Sequence, residues 1–145
     1  MSTRLDVVAE ARTWIGTPYL HQASVRSAGT DCLGLLRGVW RALSGREPET
    51  VPAYTMDWSE ASGQEAMLAA ARRWLVEKTG ALEPGDILVF RMRPGFVAKH
   101  VGIVAGAGPV TTFIHAYTGH GVVENALSAP WTRRIAGHFE FPKGA

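Results

Sequence analysis

One cysteine and five histidines are the groups of this 145-residue chain best suited to nucleophilic and acid–base chemistry near neutral pH. Cys32 follows Thr30 and Asp31, two residue types that cap helix starts, and it opens a stretch predicted to be helical to about Leu43. A thiol placed there meets unpaired backbone N–H groups and the positive end of the helix dipole, which favour a thiolate. The same N–H groups could hold the oxyanion formed when a carbonyl is attacked. Taken alone, a lone cysteine is more often an inert buried hydrophobe than a nucleophile.

His100 opens an apolar run, Val101 to Ala105, and His115 lies fifteen residues later between Ile114 and Ala116. If these runs pair as a hairpin with an irregular connection over Gly106 to Val110, both imidazoles share one face at one level. That arrangement suits a general base and a residue that fixes its tautomer and orientation. Two hydrogen-bonded structural histidines would give the same spacing. The other histidines carry plainer readings: His21 as a solvated loop residue near Cys32, His120 as an exposed turn between glycines, His138 as structural. With no C-x-x-C or H-x-x-x-H pair, no metal is expected. Trp14, Trp40 and Trp74 lie on helix faces as core residues, whereas Trp58 and Trp131 fall outside the clear helices.

The elements that would position these groups follow from periodicity. Leu5, Val8, Ala9, Arg12 and Ile15 carry a weak helical period that Gly16-Thr17-Pro18 stops. Residues 19–31 read as a loop. The helix from Cys32 has apolar residues on nearly every side (Leu33, Leu35, Leu36, Val39, Trp40, Leu43), as in a largely buried helix, and Ser44-Gly45 ends it. Gly34 and Gly38 share one face, which predicts close approach of another backbone there. After a connection over 45–58 containing Pro48 and Pro52, Ser62-Gly63-Gln64-Glu65 has the spacing of a capping box. It opens a third helix with Met67, Ala71, Trp74 and Leu75 in one stripe, and Gly80 lies beyond its end. The period then turns to β: a turn at Pro84-Gly85, then runs at 86–91, 101–105, 111–117, 122–125 and 135–141. Helices first and consecutive strands afterwards predict one α+β domain over 1–145 with an antiparallel sheet.

Composition narrows the function classes. Hydrophobic residues make up 46% and charged residues 19%, as in ordinary globular proteins. A net charge of +2, spread along the chain, is far from the dense basic patch of a nucleic-acid binder. The single cysteine excludes an intrachain disulfide. No run reaches the roughly 18 apolar residues of a membrane span. Residues 1–11 lack the apolar run of a secretory signal, so synthesis in the cytoplasm is expected, with something other than its own signal carrying the protein if it works outside.

Five motifs occur in order: Gly16-Thr17-Pro18-Tyr19, Asp31-Cys32-Leu33-Gly34-Leu35, Pro84-Gly85-Asp86-Ile87-Leu88, His100-Val101-Gly102-Ile103-Val104 and Phe113-Ile114-His115-Ala116. In this order and spacing, from about Ala9 to Phe141, the chain resembles the NlpC-type family of papain-fold cysteine peptidases, which act on bacterial peptidoglycan. It resembles most the compact members encoded with tail-tip genes of phages and gene transfer agents, whose ending is similar to Gly137-His138-Phe139-Glu140-Phe141-Pro142.

The resemblance implies a papain-like fold with Cys32 as nucleophile, His100 as general base and His115 as the third, orienting residue. It implies that the Tyr19 hydroxyl lies near the oxyanion, although the loop from Tyr19 to Cys32 is about one residue longer than in many relatives and a ring simply packed beneath that loop would look the same. Asp31 matches an acidic residue that in some relatives holds the substrate amino group. Many relatives have Ser after the nucleophile where a free peptide amine is recognised. Here Leu33 cannot hydrogen-bond through its side chain, so an endopeptidase acting on wall-attached stem peptides fits better than recognition of a free N-terminal L-Ala. The implied bond is γ-D-glutamyl to diaminopimelate, with no cofactor, tail-tip proteins as partners, and a particle-borne enzyme acting on the wall in the periplasm. Two other roles share the fold: a tail-tip binding module with little hydrolysis of its own, and an acyltransferase.

Overall fold

Helix α1 (Arg4–Arg12) begins on Thr3, whose hydroxyl accepts the Asp6 N–H while the Asp6 carboxylate accepts the Thr3 N–H. This computed structural model describes residues 3–47 and 65–142. The order continues β1 (Ser24–Val25), β2 (Gly29–Thr30), α2 (Cys32–Ser44), α3 (Ala66–Trp74), β3 (Val76–Glu77), β4 (Ile87–Phe90), β5 (His100–Ala107), β6 (Thr111–Tyr117), β7 (Gly121–Ala126), α4 (Ala129–Thr132) and β8 (Ile135–Glu140). Six strands form one antiparallel sheet in the order β3-β8-β4-β5-β6-β7. This is the predicted α+β architecture. The five longer strands coincide with the five apolar runs, because alternation and glycine turns set both.

The sheet separates two apolar layers. On one side Val101, Ile103, Ala105, Ile114 and Ala116 pack with the faces of α1, α2 and α3. On the other, Leu88, Phe90, Val104 and Phe113 pack beneath Trp131 and Ile135. Among the described residues, no helix is long and apolar enough to cross a membrane.

Three expectations change. Residues 19–31 are not plain loop: β1 and β2 pair as a short antiparallel hairpin, and Tyr19 bridges Thr30. Two-residue strands are too short for a period to announce them. Helix α2 is not buried all round. Its buried face is Gly34, Leu35, Gly38 and Val39, while Leu33, Leu36, Trp40 and Leu43 lie half-buried at the margins. Strand β3 and helix α4 are further elements that were not expected. Of the predicted capping box, Ser62 to Gln64 lie outside the described residues, as does most of the 45–58 connection; Glu65 immediately precedes α3.

The glycine prediction holds at Gly34. A Cβ there would come within 2.0 Å of the Ala23 carbonyl oxygen, so the helix lies directly on the hairpin backbone. At Gly38 the neighbour is the buried Trp14 indole rather than backbone, at 2.1 Å.

Candidate active site

Asp31 caps α2. One carboxylate oxygen accepts the Gly34 N–H at 2.7 Å and the other accepts the Gln22 N–H at 2.7 Å. Buried and held by the helix on one side and the hairpin on the other, this carboxylate orients the first turn that carries Cys32. His21 Nδ1 lies 3.8 Å from it.

The Cys32 sulfur packs against strand β5. It lies 3.9 Å from the Lys99 carbonyl oxygen, and the N–H groups of Val101, Leu33 and Cys32 itself point to it. It therefore touches the backbone on both sides of His100. The gap that admits it has a clear origin: the β5–β6 ladder starts at Ile103↔Ile114, so the backbone of 99–101 is not paired with β6. Upstream, the Glu65 carboxylate steadies the approach to β5 by accepting the Ala98 N–H at 2.7 Å and pairing with Arg91.

His100 and His115 meet as their spacing predicts. His100 Nε2 and His115 Nδ1 are 2.8 Å apart, and His115 Nε2 lies 2.8 Å from Asn125 Oδ1. The register shifts by one residue between Val104↔Phe113 and Gly106↔Thr112, and this bulge puts the two histidines on the same face of the sheet. Both imidazoles are buried under aromatic rings. His115 stacks on Phe113 at 4.2 Å, and Trp131 from α4 covers both histidines at 5.7 and 5.0 Å. Trp131 was left without a place by its sequence context; the structure makes it the cover of the pair.

The electrostatics correct one expectation. A resting thiolate was expected at the helix start, but burial, then the adjacent Asp31 charge, push the Cys32 thiol up to about 12, despite the three N–H groups. Burial, then His115, push His100 down to about 3. At neutral pH both groups are uncharged, so the pair rests as thiol and imidazole. Helix-start N–H groups lower a thiol's pKa, but here desolvation and the capping carboxylate outweigh them.

Tyr19 is half-buried near both Cys32 and Asp31, and its hydroxyl hydrogen-bonds with the Thr118 side chain. Burial, and secondarily its proximity to Cys32 and Asp31, raise its pKa above the usual tyrosine value. His120 is exposed and stacks on Tyr117; His138 is structural, with Nε2 2.6 Å from Asp86 Oδ2. Among the described residues, no group of three or more His, Cys, Asp or Glu side chains is arranged to hold a metal ion. Sequence reasoning missed Asn125 and Trp131. For Asn125 a signal existed: it lies on the strand after His115, at the register where a diagonal cross-strand contact falls.

No family model matches the chain. It is 30% identical over 137 residues to the Gamma-DL-glutamyl hydrolase of Bacillus subtilis (strain 168), a match covering 92% of this chain and 28% of that protein. The chain thus spans just over a quarter of this curated relative's length. Among solved structures it is similar to the NlpC/p60 domain of the peptidoglycan hydrolase SagA, with a TM-score of 0.62 and 28% identity over 97% of this chain and 100% of that one. NlpC2 from Trichomonas vaginalis shares the fold with a TM-score of 0.61 at 22% identity, over 97% of this chain and 47% of that one. A capped helix bearing one cysteine, a six-stranded antiparallel sheet bearing a histidine pair, and these similarities give the chain the papain-like fold of NlpC/p60 domains.

Proposed function

We propose that this domain is a cysteine endopeptidase of bacterial peptidoglycan that cuts the stem peptide, with Cys32 as nucleophile, His100 as general base and His115 as the residue that orients it. One observation carries the reading. The sulfur lies against the backbone on both sides of His100, whose Nε2 is already engaged by His115. Nδ1, the ring nitrogen nearest its own backbone, is the one His115 does not engage, and in this reading it is the one that meets the thiol.

Because thiol and imidazole both rest neutral, proton transfer accompanies attack. Sγ bonds to the carbonyl carbon as its proton passes to His100 Nδ1, and the imidazolium then returns that proton to the departing amine as the C–N bond breaks. Water hydrolyses the thioester with the same base. The N–H groups of Cys32 and its neighbours, with the Tyr19 hydroxyl, are the oxyanion donors. No cofactor enters this chemistry.

The bond class is supported by the relative named for γ-glutamyl hydrolysis and by the neighbour named as a peptidoglycan hydrolase. We assign the γ-D-glutamyl to diaminopimelate bond. Both Asp31 oxygens accept backbone N–H groups and Leu33 offers no side-chain hydrogen bond, which favours an endopeptidase over a reader of free N-terminal amines. The similarity of residues 137–142 to the tail-tip subgroup supports delivery by a phage-like particle to the wall in the periplasm. The test is mass spectrometry of fragments from diaminopimelate-type peptidoglycan. The wild type should release soluble stem peptides cut after D-glutamate, and Cys32→Ala should release none while keeping its circular dichroism spectrum; full activity in the variant excludes the mechanism.

A further inference from the structure

A neutral imidazole has one N–H, so a base that must accept at Nδ1 has to carry its proton on Nε2. In His100, Nε2 faces His115 Nδ1, and His115 can accept there only if its own proton sits on Nε2. That nitrogen faces Asn125 Oδ1, which has lone pairs and no proton to give. We infer that Asn125, at the exposed edge strand β7, sets the tautomers of both buried histidines and so keeps His100 Nδ1 bare to act as the base.

The chain of donors runs one way: His115 Nε2–H to Asn125 Oδ1, then His100 Nε2–H to His115 Nδ1. With the amide turned round, Nδ2 would donate to His115. Both protons would then move to Nδ1, and His100 would present N–H to the thiol instead of a lone pair. Only one orientation of Asn125 is compatible with a base at residue 100. Desolvation makes this choice matter, because Trp131 covers both rings, Phe113 stacks on His115, and both side chains are buried away from solvent partners.

Asn125 is thus a positioning residue acting through His115. Its role rests on the proposed reading of His100, and its test has a readout independent of hydrolysis. In protein labelled with ¹⁵N-histidine at pH 8, long-range ¹H–¹⁵N spectra should show Nε2–H tautomers at both His100 and His115. Asn125→Asp retains an acceptor and should keep both tautomers and near-wild-type kcat at that pH. Asn125→Leu, nearly the same size but without an acceptor, should lose the Nε2–H signature. Its kcat should fall about 10- to 100-fold, the usual loss for an outer partner of a reactive histidine, with KM unchanged. Asn125 is solvent-exposed, so neither variant removes core packing.

Nδ1–H tautomers in the wild type would overturn the inference, as would Asn125→Leu retaining both signature and kcat. An intact signature alongside hydrolysis by Cys32→Ala would instead refute the peptidase mechanism and leave the tautomer relay standing.

Discussion

Gly34→Ala is the sharpest test of how Cys32 is positioned. The added methyl would lie 2.0 Å from the Ala23 carbonyl oxygen and 2.6 Å from Thr30 Oγ1, whereas ordinary contact starts at 3.4 Å. The helix or the hairpin must therefore move by about 1.4 Å, since the cores of proteins have no slack to absorb such an overlap. The carbonyl cannot swing aside cheaply: it accepts the Asp31 N–H at 3.3 Å, and the adjoining Ser24 hydroxyl donates to the Gly34 carbonyl at 2.6 Å. Alanine gains about 1 kcal/mol in helix propensity. Overpacking costs about 1–3 kcal/mol, and a rigid backbone neighbour places Gly34 at or above the top of that range. The net loss is about 2 kcal/mol, or roughly 6 °C in Tm for a domain of this size. Activity should suffer more, because Cys32 lies in the same helical turn and a misplacement of about 1 Å costs about 100-fold. Thermal unfolding by circular dichroism and kcat on purified wall provide the two readouts. Gly38→Ala is the comparison: its methyl meets Trp14 at 2.1 Å, so it should lose stability with a far smaller effect on kcat. An unchanged Tm and kcat in Gly34→Ala would refute the argument.

Two further outcomes follow from the electrostatics. With its thiol raised to about 12, native Cys32 should react slowly with iodoacetamide at pH 7. Its rate should climb about tenfold per pH unit past pH 9, whereas the urea-unfolded chain levels off near about 8.5, the ordinary thiol value; a native plateau by pH 7 would reveal a resting thiolate. Asp86 is fully buried, and although burial alone would raise its pKa, His138, Lys78, the Glu83 N–H and Arg4 together hold it below the usual carboxylate value. A lowered folded pKa means stabilisation that is complete above the unfolded value of about 3.9 and disappears as pH falls through the folded one. Asp86→Asn should therefore cost about 3 kcal/mol at pH 7, the low end for breaking a buried pair because Arg4 is one-third exposed, and converge on the wild type in strong acid. Urea denaturation across pH measures both; a deficit that persists undiminished below the folded pKa would contradict the assignment.

The sheet and the site pair were readable in advance to different depths. Strands 100–107 and 111–117 announce themselves because an apolar, glycine-punctuated run has few other solutions, whereas the odd separation of His100 from His115 puts their side chains on one face only if the connection between the strands carries an irregularity. The bulge at Val104–Gly106 that brings them into register is a local packing outcome without its own motif. Cys32 at a capped helix start was legible from Asp31; the protonation of its thiol was not, because that depends on what buries it. Trp131 sits on a four-residue helix, too short for any period to show, so its place over the histidines emerges only when β8 and α4 have packed. The β1–β2 hairpin leaves only an indirect trace, the glycine at position 34 that it presses upon.

Asp86 joins distant parts of the chain at one point. Arg4 reaches both its carboxylate and that of Glu140, while Lys78 and His138 meet it from β3's trailing end and from β8. The first and last described elements are thus fastened together at the start of β4, whereas the thiol and imidazoles lie toward its far end, about 13 Å away along the strand. Sequence appended before α1 or after β8 would emerge from a common region at the end of β4 away from Cys32 and the two histidines. A tether or neighbouring module attached at either terminus can then hold the domain from behind and leave the face proposed to take wall polymer unobstructed.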